Sequence, residues 1–326
     1  MNKKEKAQYA SWIMLLLLSA CQASDELAQE QEYTVSIMAR IGKSVPEGRY
    51  VQTNDKTPAL FAPNDDIGIF MDDATVVRWV FNETAWASEE TVYWADKDKK
   101  HTFCAYYPYS GSQADEGKDK VQMPSLEGQT GNWDNIAQYD FLVTSKELSY
   151  NDNAGNVSFT DDNAFRHVSS LMKINIKSEN DMGNATIDKI TFKGNDLITQ
   201  AYYSFTTDAV TVDGTSQESL SVTPNHPMNG KDASFYFILN GKPANESGNQ
   251  KGANPIDFTI EYTSNNKKYT AHREALCNGI ISGRIHEYNI LVKGGLVIIT
   301  GGGISGWTPG NTIEDIIING EEDSQN

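Results

Sequence analysis

The sequence predicts an all-β protein built from antiparallel β-sandwiches. Apolar and polar side chains alternate through residues 33–41, which is the period-two pattern of a half-buried strand. Turn-forming Asp-Gly and Asn-Gly pairs separate such runs, at 213–214, 229–230, 240–241 and 278–279. No run of ten or more residues shows an apolar helical stripe with capping residues. Many short strands between turns are typical of sandwiches.

Further strands are predicted along the rest of the chain. They cover Asp66–Met71, Thr75–Phe81, His101–Tyr107, Tyr139–Thr144, Asn156–Thr160, Ser170–Lys177, Ile187–Phe192, Ala201–Thr206, Ala233–Leu239, Phe258–Thr263 and Ile285–Thr300. A polar break at Ser178–Asp181 places a domain boundary near residue 180. We therefore expect an N-terminal sandwich over residues 50–180 and a C-terminal one over residues 181–326.

The first 21 residues have the pattern of an exported lipoprotein. Lys3, Lys4 and Lys6 precede the apolar run Trp12–Leu18, which is too short to span a membrane. The next residues, Leu-Ser-Ala-Cys, resemble the bacterial lipobox at all four positions. We expect residues 1–20 to be a signal peptide and Cys21 to carry acyl chains, palmitate among them, that anchor the protein to the outer membrane.

Composition narrows the classes of function. The chain of 326 residues has a formal net charge of −17. Removing residues 1–20, which contain three Lys and one Glu, brings the charge to −19. Such a surface repels a phosphate backbone, so nucleic-acid binding is not expected. Cys104 and Cys277 would remain, either as one disulfide or, as the sequence favours, as two buried thiols.

No arrangement of residues predicts an enzyme, a cofactor or a metal site. Residues 301–306 match G-x-G-x-x-G, but Trp307–Gly310 is unsuited to open the helix that a dinucleotide site needs, which favours a turn or bulge. His167 has no partner nucleophile in a G-x-S-x-G elbow and is interpreted as structural. The stretch 151–156 lacks the carboxylates of a calcium loop and is interpreted as a hairpin loop.

Four segments resemble the fimbrillin family of Bacteroidota. Residues 64–71 (NDDIGIFM) are similar to its GDxIGVFM segment, and residues 101–109 (HTFCAYYPY) to its FxAYYPY segment. Residues 165–176 (FRHVSSLMKINI) resemble FxHxxSKLxIxI, and the stretch from Glu287 to Trp307 resembles the closing YxYxITL…I…W. Asn64-Asp65 where Gly is usual and Cys104 in place of a small or aromatic residue depart from the pattern. The matches keep the family order over about residues 60–310.

The resemblance implies a fold and a function. The fold would be two tandem transthyretin-like sandwiches, and the function would be that of a pilus subunit assembled on the cell surface with other copies or related fimbrillins. Subunits of this kind travel to the outer membrane as lipoproteins. A trypsin-like protease then removes the N-terminal strand after an Arg, and a strand of the next subunit fills the groove.

The residues of this chain supply candidates for each of these parts. The removable strand would present Tyr33, Val35, Ile37, Ala39 and Ile41 on one face, within a propeptide of residues 21–49. Arg49 is the preferred cleavage site, because Pro46 and Gly48 favour an exposed turn, whereas Arg40 lies inside the strand. The β-branched segment 312–319 is the candidate donor strand, with Ile313, Ile316, Ile317 and Ile318 as its apolar residues.

Two alternatives remain open from sequence. Residues 42–50 would be a simple hairpin loop in an uncut anchor or tip subunit. In the second alternative, the protein is a non-polymerising surface lipoprotein that binds glycans or other host ligands. The glycan-binding hypothesis requires four tryptophans to lie exposed in a row, where they could stack on sugar rings: Trp79, Trp86, Trp94 and Trp133.

Replacing Cys21 with Ser tests the export prediction. A hydroxyl is a poor substitute for the thiol, so Cys21→Ser should abolish acylation and leave the precursor uncleaved before residue 21. Metabolic labelling with a palmitate analogue, followed by mass spectrometry of the N-terminus, measures both. Normal labelling of the variant would contradict the prediction, and Cys104→Ser, which changes a thiol elsewhere, serves as the control.

Overall fold

The computed structural model describes residues 33–42, 60–111, 117–178, 185–195, 197–241, 255–277, 280, 282–293, 296–306, 316–319 and 321–322. Over these residues the regular secondary structure is almost entirely β-strand. The only α-helical turn among them is α1 (Tyr150–Asn153), which Ser149 and Asp152 cap at its N-terminus. A short 3₁₀ helix covers Trp133–Gln138. The predicted all-β class is therefore confirmed.

Strands of the N-terminal half form the first part of the fold. They are β1 (Ser36–Ala39), β2 (Asp66–Met71), β3 (Val77–Phe81), β4 (Trp86–Ser88), β5 (His101–Tyr107), β6 (Val121–Gln122), β7 (Leu142–Leu148), β8 (Asn156–Phe159) and β9 (Arg166–His167). Six of them pair antiparallel in the order β4-β3-β2-β5-β7-β9, and β1 pairs with β8 in a second, parallel ladder.

The remaining strands follow along the chain. They are β10 (Ser170–Ser178), β11 (Thr186–Lys193), β12 (Leu197–Ile198), β13 (Ala201–Ser204), β14 (Ala209–Val212), β15 (Ser219–Val222), β16 (His226–Pro227), β17 (Ala233–Gly241), β18 (Ile256–Ser264), β19 (Lys267–Cys277), β20 (Arg284–Lys293), β21 (Leu296–Gly306), β22 (Ile316–Asn319) and β23 (Glu321–Glu322). One sheet has the order β12-β17-β10-β20-β21-β22, and the facing sheet has the order β15-β11-β18-β19-β23 with β16 beside β11.

The N-terminal six-stranded sheet is covered on both faces. Ile67 and Ile69 of β2 point into a core shared with β1 and β8, whereas Phe70 points into a second core shared with β6 and β13. The same alternation runs along β5, where Phe103 and Ala105 face the first core. Strands buried on both faces carry nearly continuous apolar runs, which explains the composition of β2 and β5. We call the core beneath β1 the N-terminal core.

The division of the chain near residue 180 stays a prediction. β10 lies before that point and pairs with β17 and β20 after it. β6, another strand of the first half, pairs with β13. A single large core joins β10, β17 and β20 to β11, β18 and β19, so this second sandwich uses strands from both sides of residue 180.

One predicted strand is corrected by the structure, whereas the predicted glycine-rich bulge and the two buried thiols are confirmed. The run Ile285–Thr300 is not one strand but parts of two antiparallel strands, β20 and β21. The glycines of residues 301–306 lie within β21, beside a bulge opposite Asn289 and Ile290. Cys104 and Cys277 are buried thiols that form no disulfide and lie in different cores. Among the described residues, no helix is long and apolar enough to cross a membrane.

Candidate functional site

The N-terminal strand β1 lies in a groove between two other segments of the chain. On one side it pairs in parallel with β8, from Ser36 opposite Asn156 to Ala39 opposite Phe159. On the other side the residues just before β1 pair with residues 92–94: the Val35 amide donates to the Val92 carbonyl at 2.8 Å, and the Trp94 amide donates to the Tyr33 carbonyl at 2.8 Å. The segment 33–42, which we call the β1 segment, is therefore hydrogen-bonded on both sides, by its first three residues to residues 92–94 and by β1 itself to β8.

The side chains of β1 and its flanks alternate between core and solvent, as the sequence pattern indicates. Val35, Ile37 and Ile41 are buried in the N-terminal core, and Tyr33 and Ala39 pack against it half-buried. Met38, on the opposite face, is 56% exposed. The backbone therefore spans the groove while three aliphatic side chains point down into the N-terminal core.

Specific contacts hold the start of this segment. The Tyr33 ring packs edge-on against Tyr150 at 4.8 Å between centroids, and the Lys97 ammonium lies 3.7 Å from the centre of the Tyr33 ring. Gly155 makes this approach possible, because a Cβ there would lie 2.7 Å from the Tyr150 ring and 3.1 Å from the Thr34 carbonyl. Its φ of +83° also favours glycine.

The groove has an aromatic and aliphatic floor. Trp94, Phe103, Val157, Phe159 and Phe165 all belong to the N-terminal core that the β1 segment covers. The Trp94 indole N–H also donates to the Gly155 carbonyl at 3.2 Å, which ties the two walls of the groove together. A groove without β1 would thus expose a large apolar surface and unpaired backbone groups.

The two candidate cleavage residues differ in what the structure describes. The Arg40 side chain is exposed, but its backbone is engaged: its amide donates to the Phe159 carbonyl at 2.9 Å, and its carbonyl accepts from the Phe165 amide at 2.8 Å. A protease needs an extended, accessible backbone, so Arg40 is a poor site in this conformation. Arg49 and the lipidation site Cys21 lie outside the described residues.

The C-terminal candidate donor segment forms a strand at a sheet edge. Ile316, Ile317 and Ile318 belong to β22, which pairs antiparallel with Val297, Ile298 and Ile299 of β21. After it, β23 pairs with Tyr269 and Thr270 of β19 in the facing sheet. Ile313 lies outside the described residues. The donor role itself stays a prediction.

The tryptophan hypothesis for glycan binding is not supported by the positions of these side chains. Trp79, Trp86 and Trp94 are buried in the N-terminal core. Trp133 is half-buried and packs edge-on against Tyr236 at 4.7 Å between centroids, at the large core of the second sandwich. The row of exposed rings that sugar stacking requires is therefore absent from this part of the chain.

The residues considered for catalysis or metal binding lie in surroundings that favour a structural role. The His167 Nδ1 lies 2.7 Å from Asp140 Oδ2 in a buried pair between β9 and the start of β7. Burial raises the pKa of the Cys104 thiol to about 11, which keeps it protonated and a poor nucleophile. The stretch 151–156 connects β7 to β8 through α1. Within the described residues, no cluster of three or more His, Cys, Asp or Glu side chains could hold a metal ion.

The sequence predicts β8, one wall of the groove, as the strand Asn156–Thr160, but it predicts neither the other wall nor the pairing of β8 with β1. Residues 92–94 were not predicted to pair with anything, and Gly155 was seen only as part of a polar loop. The parallel pairing of β1 with β8 joins segments 120 residues apart, since Ser36 lies opposite Asn156. A clue was available in Ala154-Gly155, a sharp turn directly before an alternating strand.

Truncating an inward side chain of β1 should destabilise the N-terminal core. Ile37→Ala removes a buried side chain and should lower the free energy of unfolding by about 2–4 kcal/mol. Met38→Ala, on the exposed face of the same strand, should change it by less than about 0.5 kcal/mol. Urea unfolding followed by tryptophan fluorescence measures both, because three tryptophans lie in this core. Equal effects of the two substitutions would contradict the placement of β1.

Comparisons with known proteins agree with the fold. A profile of the fimbrillin-like family matches residues 49–307. The fold is similar to that of a proposed cell adhesion protein from Bacteroides uniformis, with 18% identity, a TM-score of 0.57, and 86% of this chain and 99% of that chain covered. It is also similar to a proposed cell adhesion protein from Bacteroides ovatus, with 16% identity, a TM-score of 0.58, and 86% and 100% covered.

No curated protein sequence matches the chain significantly. The family profile nevertheless spans most of the chain, from before β2 to the end of β21, and the two similar structures are covered over almost their whole length. The resemblance seen in the sequence segments is thereby confirmed. This chain belongs to the fimbrillin-like family.

Proposed function

We propose that this protein is a structural subunit of a surface fimbria that supports cell adhesion and has no catalytic role. Membership of the fimbrillin-like family supports a fimbrial or adhesive role at the cell surface. The proposal goes further in three respects: export as a lipoprotein anchored through Cys21, proteolytic removal of β1, and assembly by strand exchange with other copies or related subunits. The observation that carries it is the position of β1 in its groove.

β1 has the properties of a strand that another strand can replace. Its inward side chains cover an aromatic floor, and its backbone is hydrogen-bonded to β8 and to residues 92–94. Removing it would expose the aromatic floor and would leave the backbone groups of β8 and of residues 92–94 unpaired. Extended peptides bind such grooves through main-chain hydrogen bonds, and side-chain pockets then give specificity.

The N-terminal location of β1 makes its removal simple. A single cut after Arg49 would separate residues 21–49, and with them the acyl anchor, from the rest of the subunit. Arg40 is less suitable, because its backbone is paired on β8 and on residue 165. The released subunit would then depend on neighbouring subunits for its attachment to the cell.

The donor strand in this proposal is the segment 312–319. Its isoleucines are β-branched and favour extended backbone. Its described part, β22, already pairs with an edge strand of its own chain. A sheet edge is a place from which a strand can be exchanged without disrupting a sheet centre.

The alternative function is the binding of glycans or other host ligands by a surface lipoprotein that does not polymerise. Its specific requirement, a row of exposed tryptophans, is not met in the described residues. Polymerisation assays separate the two functions, because only a fimbrial subunit forms assemblies that resist mild denaturant.

Blocking the proposed cut should stop assembly without unfolding the subunit. Arg49→Ala should give folded, membrane-bound monomers, since β1 still covers its groove. Mass spectrometry of the surface protein should find a chain starting at Tyr50 in wild type and at lipidated Cys21 in the variant. Arg40→Ala, which removes an exposed side chain, is the matched control and should polymerise normally. Assemblies formed by Arg49→Ala protein would contradict cleavage at this residue.

Removing the donor should block assembly by a different route. A chain truncated after Pro309 loses segment 312–319 but keeps the groove, so it should not polymerise alone. Mixed with wild type, it should still accept a donor strand and be found only at one end of each chain, which labelling in electron micrographs can measure. This second readout separates donor loss from misfolding. Polymerisation of the truncated protein at the wild-type rate would place the donor elsewhere.

A further inference from the structure

A cavity that opens to solvent lies beside residues 35–37, at the start of the β1 segment. Its volume is about 490 Å³, and the β1 segment contributes Val35 and Ile37 to its lining. The opposite wall comes from β2, β3 and β5, with Ile69, Val77, Trp79 and Phe103, and the rim is exposed and partly polar, with Asp73, Thr75 and Tyr93. Resident side chains therefore line this space without filling it.

The distribution of side chains along the strand explains the cavity. The position nearest the start is a valine, which is short for a space bounded by a tryptophan and a phenylalanine. Because the cavity opens to solvent, the β1 segment leaves part of the apolar lining in contact with water. An apolar group that filled it would gain contacts that β1 does not make.

The cavity matters for strand exchange because it is the part of the groove where side chains, and not only backbone hydrogen bonds, distinguish one strand from another. Hydrogen bonds to β8 and to residues 92–94 are made by backbone atoms, and any strand can form them. The difference in affinity between the resident and an incoming strand must therefore come from side chains. The cavity is the place where a better side chain has room.

We propose that this cavity is the specificity pocket of the groove, filled by an apolar side chain larger than valine from the incoming strand of a neighbouring subunit, at the register of Val35. This inference rests on the proposed strand exchange. It names the feature that lets a new strand displace β1 from a groove that β1 already occupies. Even an isoleucine, the apolar residue of segment 312–319, adds one methylene at this register.

Peptide competition on the cut protein tests the pocket. The wild-type chain is cut after Arg49 with a trypsin-like protease and mixed with fluorescent peptides of residues 33–42. The peptide series is the wild-type sequence, Val35→Phe, Val35→Ala and Met38→Phe, where Met38 faces solvent and serves as the matched control. Fluorescence anisotropy should show Val35→Phe binding at least about tenfold more tightly than wild type, Val35→Ala more weakly, and Met38→Phe within about twofold.

The uncut chain provides an independent measurement. Val35→Phe and Val35→Met should raise its melting temperature, because the new side chains enter existing space, whereas Met38→Phe should leave it unchanged. Lower melting temperatures for both Val35 variants would contradict the proposal that this cavity is a specificity pocket.

The outcomes of the two experiments are distinguishable. If the wild-type peptide binds but Val35→Phe binds no better, strand exchange stands and the specificity pocket is overturned. If no peptide binds, the wild-type sequence included, strand exchange itself is overturned and the inferred partner with it.

Discussion

The N-terminal core depends on the docking of one short, terminal segment of the chain. Val35, Ile37 and Ile41 are the side chains through which residues 33–42 close that core, and each buried aliphatic side chain contributes about 1.5–3 kcal/mol. Their sum is comparable with the net stability of a whole domain, about 5–15 kcal/mol. The subunit therefore cannot lose this strand and keep its N-terminal core unless another strand takes the same place.

This dependence links the fold to the proposed function. The six-stranded sheet behind the groove is covered on its other face by β6 and β13, so its own structure does not rest on β1 alone. A scaffold that is packed on one face and closed by a terminal strand on the other suits strand replacement. The parallel ladder between β1 and β8 and the contacts of Tyr33 hold the resident strand until it is removed.

Much of the fold was predictable from local pattern. β2 and β5 have the bounds that the sequence predicts, because apolar runs between turn residues are strong strand signals. The inward positions of residues 33–41 also followed from their alternation. β19 was missed, since its charged and exposed residues break the apolar pattern even though it lies within a sheet. The strands β20 and β21 were predicted as one strand, because β-branched residues lie on both sides of the residues that separate them.

The groove was less predictable than the strand that fills it. Pairing between segments 120 residues apart is decided by packing of the whole domain, and no local signal encodes it. The cavity beneath Val35 depends on the relative positions of three strands and was equally hidden. The same holds for the tryptophans, whose density in sequence suggested a binding surface and whose burial assigns three of them to the core.

The central claim is that a strand from a neighbouring subunit occupies the place of β1 in assembled fimbriae. Electron cryomicroscopy of fibres from the native surface tests it most directly, because main-chain density between β8 and residues 92–94 can be traced to its source. We predict that this density connects to an adjacent subunit and that residues 33–42 of the same chain are missing. Density that continues into the subunit's own residues 33–42 would contradict the account.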